Sequence, residues 1–394
     1  MDTVPPTLAL CRTELVEIDE HVARLQLDLE TLQTRRKLVA DHLRAFTYPV
    51  LALPVEVTTA VFEKYLEGRS PMLGPGSTIC LGQICQRWRQ IAVNTPALWS
   101  TLNIDLTEAY KAVAAASMSS AVKTHLLRSG TMPLTIHLEC AIYANHLAEP
   151  MTRILSLLFT HSSRWRYARF SQIPVDVRLP TNLRPSDTHM PLLQRLHFLS
   201  RSSSLERVLQ PLDAPALRHL ETRLSLDSRF DNLFSGSWAN LTVLKLMDTF
   251  IQTVLPIVRQ TSTLTFLWVS LYLGNVGPME PVALPHLHTF IVEPLPESSR
   301  TLSSFFSRLH LPGLRRLALD DNEAENNNDL QSICEALDRW GCPLAGLYAS
   351  EDGYKSARNL ITHAAYRAAL PNVGQLEWCL EEDFPLPEWE LWPS

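Results

Sequence analysis

Two histidines, His286 and His288, flank Leu287. On a strand they would share one face, as two ligands of a metal ion must. No third histidine or acidic residue stands beside them, so the pair reads as solvent-facing. Asp320-Asp321-Asn322-Glu323-Ala324-Glu325 has the oxygen-rich composition of a calcium loop. It lacks the central glycine and the closing glutamate of such a loop, which makes it an acidic connection. Gly74-Pro75-Gly76-Ser77 has no lysine to hold a phosphate, and Ser235-Gly236-Ser237 follows no apolar strand that could present a nucleophile. The cysteines (Cys11, Cys80, Cys85, Cys140, Cys334, Cys342 and Cys379) form no Cys-x-x-Cys pair, so zinc has no local scaffold. They read as reduced, mostly buried thiols of an intracellular protein. Cys85, on the apolar stripe of a helix, is expected to be structural. These residues predict no catalytic constellation, no cofactor and no metal, and hence not an enzyme.

The elements that position these residues have the composition of a folded chain. With 394 residues, 46% hydrophobic and 19% charged, the sequence can bury a sizeable core. A net charge of -6 and the lack of any longer basic run than Arg35-Arg36-Lys37 give no footprint for nucleic acid. No long uncharged apolar stretch is present, so no membrane helix is expected. The start, Met1-Asp2-Thr3-Val4-Pro5-Pro6, has no basic, apolar leader, so no secretory signal is expected and the location is cytoplasmic or nuclear.

Residues 8–46 predict a long helix. Ile18, Val22, Leu25, Leu29, Leu32, Val39 and Leu43 repeat at steps of four and three, with Arg36 filling the one polar slot. This is an a/d seam, coiled-coil-like, which either packs back on its own chain or self-associates.

Residues 47–100 predict a small all-helical module. Pro49-Val50-Leu51-Ala52-Leu53-Pro54 is extended, because residues before proline avoid helical angles. A helix should run from Val55 to Glu67 and end at Gly68. Ser77 should cap a second helix carrying Leu81, Ile84, Cys85, Trp88 and Ile91, and Thr95-Pro96 should start a further turn with Leu98 and Trp99. Both tryptophans are expected in the module's core.

The series Leu53-Pro54-x-Glu56-Val57, Phe62, Ile84-Cys85-x-x-Trp88-Arg89-x-Ile91-Ala92 and Thr95-Pro96-x-Leu98-Trp99 resembles the F-box of fungal (basidiomycete-type) F-box-like proteins. The resemblance covers about 50 residues, and the heptad helix upstream is also similar. Val55 stands where a second proline is usual, and the loop between the first two helices is long.

From about residue 130, within a region spanning 101–394, the pattern apolar-x-x-apolar-x-apolar recurs. Its units start at Leu193, Leu217, Leu241, Leu264, Leu287, Leu314, Leu344 and Val373, at steps of 24, 24, 23, 23, 27, 30 and 29. That is the period of leucine-rich repeats, one short strand and one helix or irregular turn per unit. Leu134–Leu138 and Trp165–Phe170 look like earlier, degenerate units. Asp248 and Asp320 stand near the place of the usual asparagine, but no polar ladder follows, so an irregular array is expected. A helix from Glu108 to Arg128 should end at Gly130, and Trp389, Trp392 and Pro393 read as a terminal cap or tail.

The expected fold is therefore α/β: an N-terminal helix, an F-box-like module, then an irregular leucine-rich-repeat solenoid. The resemblance implies a substrate-recruiting adaptor of an SCF-type (Skp-cullin-F-box) ubiquitin ligase, with no catalysis of its own. Pro49, Val50, Leu53, Pro54, Glu56, Val57, Phe62, Ile84, Cys85, Trp88 and Arg89 would then serve the contact with a Skp-family linker and, through it, the cullin. The repeats would hold a target protein. The alternative is an interaction scaffold whose F-box-like module no longer engages a linker.

Overall fold

The computed structural model describes residues 8–45, 49–68, 71–107, 112–140, 147–173, 177, 189–200, 213–223, 238–272, 280–295, 302–319, 327–350, 367–371 and 373–379. The chain divides into two compact units, Met1–Ala60 and Val61–Ser394, the boundary falling inside the second helix.

The first unit contains α1 (Leu8–Ala45), 38 residues without glycine or proline. Its seam residues Ile18, Val22, Leu25, Leu29, Leu32, Val39 and Leu43 are each at least 45% exposed. A 3-10 turn, Pro49–Ala52, leads to α2 (Val55–Tyr65), which starts in this unit. The carbonyl of Pro54 accepts both the N–H and the hydroxyl of Thr58, each at 3.0 Å, which fastens the first turn of α2.

In the second unit, Phe62 of α2 packs with Leu81, Ile91, Ala92, Leu98 and Trp99 in a small core. The expected second helix is two: α3 (Thr78–Ile84) and α4 (Gln86–Val93). Ser77 caps α3 as expected, its Oγ accepting from Cys80 N at 3.2 Å. The break falls at Cys85, whose backbone is extended and whose Sγ accepts the N–H of Trp88 at 3.4 Å. The thiol thus acts as an N-cap and is half-buried. Arg89 holds the break from the other side, donating from Nε to the Gly82 carbonyl at 2.7 Å. Thr95 precedes the 3-10 turn Pro96–Trp99, but its hydroxyl donates back to Ile91 O at 2.8 Å instead of capping the turn.

A mixed α/β layer follows. Eleven of the described strands form one parallel sheet in chain order: β1 (Thr101–Leu106), β2 (Leu134–Cys140), β3 (Trp165–Ile173), β4 (Arg195–Ser200), β5 (His219–Arg223), β6 (Val243–Phe250), β7 (Phe266–Tyr272), β9 (Thr289–Pro294), β11 (Arg316–Leu319), β12 (Gly346–Ser350) and β13 (Gln375–Cys379). The short β8 (Val282–Ala283) and β10 (Leu309–His310) pair separately. Parallel neighbours need a crossover of a dozen or more residues, which the spacing of the sequence pattern supplies. The crossovers include α5 (Ala112–Arg128), α6 (Ala148–Phe159), α7 (Ile251–Arg259), the single turn α8 (Ser303–Phe306) and α9 (Asn327–Trp340). Each recurring apolar signature falls at a strand. Its first leucines (Leu193, Leu217, Leu241, Leu264, Leu287 and Leu314) are no more than 1% exposed. They share one core with Met151, Ile154 and Leu158 of α6 and Val254, Leu255 and Val258 of α7. Two strands bulge where a non-glycine residue takes a left-handed backbone, at Gln172 (φ 58°) and Asp248 (φ 52°). The second bulge is tied across the sheet by an ion pair between Asp248 and Arg223.

Candidate functional site

Alternation along a strand sends every second side chain away from the leucine core. In β4, Leu196 and Phe198 enter that core, so His197 between them faces the other side. The parallel register then lines up one residue per strand into a continuous row. It runs Asn103, His137, Arg169, His197, Glu221, Lys245, then Trp268, Ile291, Ala318, Tyr348 and finally Glu377. The row is polar and charged from β1 to β6 and apolar from β7 to β12. The apolar part is buried in a second cluster with Val243 and Phe266, separate from the leucine core.

Arg169, Arg195, His197, His219, Glu221 and Lys245, with Val243 and Phe266, line a pocket of about 230 Å³ on this face. His197 bonds through Nδ1 to Glu221, and its Nε2 lies 3.3 Å from the Ser171 hydroxyl. A carboxylate on Nδ1 holds a proton there, and Nε2 accepts from Ser171 when the ring is neutral. This is the hydrogen-bond order of a nucleophile, a base and an orienting carboxylate. Its setting is that of a structural brace: Ser171 is 8% and His197 3% exposed, and Arg169 Nε reaches the same hydroxyl oxygen at 3.5 Å. Lys245 stands 3.5 Å from the other oxygen of Glu221.

Charges follow from these neighbours. Burial pushes the Glu221 carboxyl up, but its bond to His197 and the charges of His197, Lys245 and Arg169 outweigh burial and bring it below the usual range. Burial, reinforced by the Arg195 charge, lowers His219 to about 4, so it is neutral at pH 7. Among the described lining residues, Arg169, Arg195 and Lys245 therefore face a single carboxylate, a balance that suits an anionic group.

The residues singled out in the sequence fall in both units. In the first, Pro49 opens the 3-10 turn, Val50, Pro54, Glu56 and Val57 are exposed, and Leu53 is half-buried. In the second, Phe62 is buried and meets Trp88 edge-on at 5.0 Å between ring centres. Cys85 and Trp88 are half-buried, while Ile84 and Arg89 are exposed. Trp99 is buried, its indole N–H donating to the Ala92 carbonyl at 2.6 Å. His286 and His288 do not share a strand face: they lie in the turn before β9, which the bond from Leu287 N to Leu284 O closes at 3.2 Å. The thiols are not mostly buried. Among those described, Cys140 is buried, Cys11 is exposed, and Cys80, Cys85, Cys334 and Cys342 are intermediate. Ser235–Ser237, Asp320–Glu325 and the Trp389–Pro393 tail lie outside the described residues.

Among the described residues, no group of three or more His, Cys, Asp or Glu side chains could hold a metal ion, and no helix is long and apolar enough to cross a membrane.

No family model and no curated protein matches the chain.

The polar row was missed at the sequence level, although a signal for it existed. In each unit the outward residue is the one between the second and third apolar positions: His197, Glu221, Lys245, Trp268, Ile291, Ala318, Tyr348 and Glu377. Aligning the units on their leucines and reading down that column yields the row from His197 onward.

Proposed function

We propose that the chain is a substrate-recruiting adaptor of an SCF-type ubiquitin ligase. Residues 49–57 would meet a Skp-family linker, and the parallel sheet would be the face of an irregular leucine-rich-repeat solenoid that holds a target protein. The observation that carries the reading is the exposure of Val50, Val55 and Val57, at 44–50%, on a 3-10 turn and the first turn of a helix. Exposed branched apolar side chains over so short a stretch are what a protein-docking segment presents. The sheet contributes the second half of the reading. Its charged pocket offers three cations against one carboxylate, so the target would insert an acidic or phosphorylated side chain there. In this reading the ligase's other subunits do the chemistry, and the Ser171–His197–Glu221 line braces the pocket floor.

The deciding experiment is co-expression with a Skp-family linker, followed by titration of the complex. Leu53→Ala combined with Pro54→Ala should weaken linker binding at least tenfold while the circular dichroism of the sheet is unchanged. Unchanged affinity in that double variant would remove the adaptor reading.

A second reading is a stand-alone interaction scaffold, favoured by Val55 in the position where the resembled motif usually carries proline. A well-folded chain that captures no Skp-family linker at micromolar concentrations would establish it.

A further inference from the structure

From the seam of α1 we infer that the chain pairs with a second copy of itself, through α1, as an antiparallel two-stranded coiled coil. The stripe is longer than the sequence pattern first suggested. Leu8 and Leu15 continue its a positions and Cys11 its d positions, so a runs Leu8, Leu15, Val22, Leu29, Arg36, Leu43 and d runs Cys11, Ile18, Leu25, Leu32, Val39. Leu8 is 72% and Leu15 61% exposed, like the rest of the stripe. Leu10, Val16, Leu27 and Leu38 lie off it singly and build no second seam.

Length selects the occupant. A helix of 38 residues presents about ten turns of continuous apolar stripe, and only a helix of similar length can cover it. The next longest described helix, α5, has 17 residues. One unbroken helix cannot fold back on itself, and α1 of a second copy has the required length.

Charge selects the direction. In a parallel pair, Arg36 would face its own copy inside the seam, and Glu14 at a g position would face Asp19 at the next e position. Both contacts are between like charges. In the antiparallel pair, Val22 lies opposite Leu25, Ile18 opposite Leu29, Leu15 opposite Leu32 and Leu8 opposite Val39. Arg36 then falls opposite the small Cys11 near the end of the overlap, where its guanidinium can reach water. The flanking g positions become complementary, with Glu14 against Arg35 and His21 against Asp28, each pair occurring twice by symmetry.

Sedimentation of the full chain over a micromolar dilution series should give a dimer that dissociates on dilution. Val22→Glu with Leu25→Glu should give a monomer with unchanged sheet content. Glu14→Arg distinguishes the directions, because it opposes Arg35 in the antiparallel pair but meets Asp19 in the parallel one. The dimer should weaken roughly fivefold with E14R and recover with E14R/R35E. A short bis-maleimide on the R36C variant should link Cys11 to the thiol introduced at position 36. These two positions are about 37 Å apart along one helix, so the link must join two copies. A monomer at every concentration, tighter pairing of E14R, or a Cys11–Cys11 link in the wild type would each overturn the inference.

Discussion

The ammonium of Lys245 sits 3.3 Å from the centre of the Trp268 ring, one strand away, at the point where the outward row turns from charged to apolar. The same nitrogen lies 3.5 Å from Glu221, and Trp268 donates its indole N–H to Glu293 at 2.5 Å. Lys245 thus joins the charged pocket to the aromatic cluster. Lys245→Met keeps the stem on the ring but removes the charge from both partners. It should cost about 1–2 kcal/mol, read from the urea midpoint at pH 7. With Glu221→Gln already present the same change should cost markedly less, and equal costs in both backgrounds would show that the two groups are not coupled.

Acid should weaken the fold well above the carboxylate range. Burial, opposed by the bond to Ala121 and aided by the Arg128 charge, lowers His125 from its ordinary 6.5 to about 4. Between those values the unfolded chain binds a proton that the folded chain refuses. The stability contributed by neutral His125 is therefore complete above pH 6.5 and lost progressively as pH falls toward 4, by roughly 3 kcal/mol in all. His219 acts in the same direction. Urea melts at pH 7.5 and 5 should separate in the wild type and draw together in His125→Gln. A separation unchanged by that substitution would clear His125 of the effect.

Two tryptophans of one small core should respond differently to the same change. Trp99 is 1% exposed, bonds to Ala92 O, and carries the Arg128 guanidinium 4.4 Å from its ring centre. Trp88 Nε1 is buried without a hydrogen-bond partner among the described residues. Trp99→Phe removes a satisfied donor and opens a void in a fully buried site, while Ala92 O keeps the N–H of Thr95 at 3.4 Å, at a cost of about 2–4 kcal/mol. Trp88→Phe relieves an unpaired N–H against a modest loss of volume and should cost about 1 kcal/mol or less. Thermal melting that ranks Trp88→Phe as the worse of the two would show that the unpaired Trp88 N–H carries no penalty.

Close approach of two backbones requires glycine at position 313. A Cβ on Gly313 would lie 2.4 Å from the backbone carbonyl oxygen of Pro285, in the corresponding turn of the preceding unit. At Gly374 the nearest atom, Ala345 O, is 3.6 Å away, an ordinary contact. Gly313→Ala should therefore cost about 1–3 kcal/mol by forcing the two turns apart, while Gly374→Ala should be close to neutral. Differential scanning calorimetry of the two variants checks the contrast.

Local patterns were legible in proportion to how little they depend on distant partners. Helix α1 follows from an unbroken heptad series, and the strands follow from leucines that recur at a period set by their own crossovers. The break at Cys85 was not legible, because no glycine or proline marks it. It depends on a thiol capping Trp88 N and on an arginine seven residues away reaching Gly82 O. The pocket was hidden for a related reason. Arg169, His197, Glu221 and Lys245 are more than twenty positions apart in sequence, and only the register of four strands makes them neighbours. The His286–His288 pair failed in the opposite sense, since its spacing suits a strand but a turn claims it.

Strand order that follows chain order has a consequence for how the molecule is made. The strands of the large sheet pair with partners from 22 positions away, as Thr249 with Leu271, up to 34, as Thr101 with Thr135. Loop closure over such short, similar spans costs little entropy and does not grow as the chain lengthens. A segment leaving the ribosome finds its template in the strand synthesised just before it, so the sheet can assemble by accretion from its amino-terminal end during translation. A premature stop would then yield a shorter sheet with one open edge, a species that chaperones and proteases meet as a nearly native protein with a sticky end.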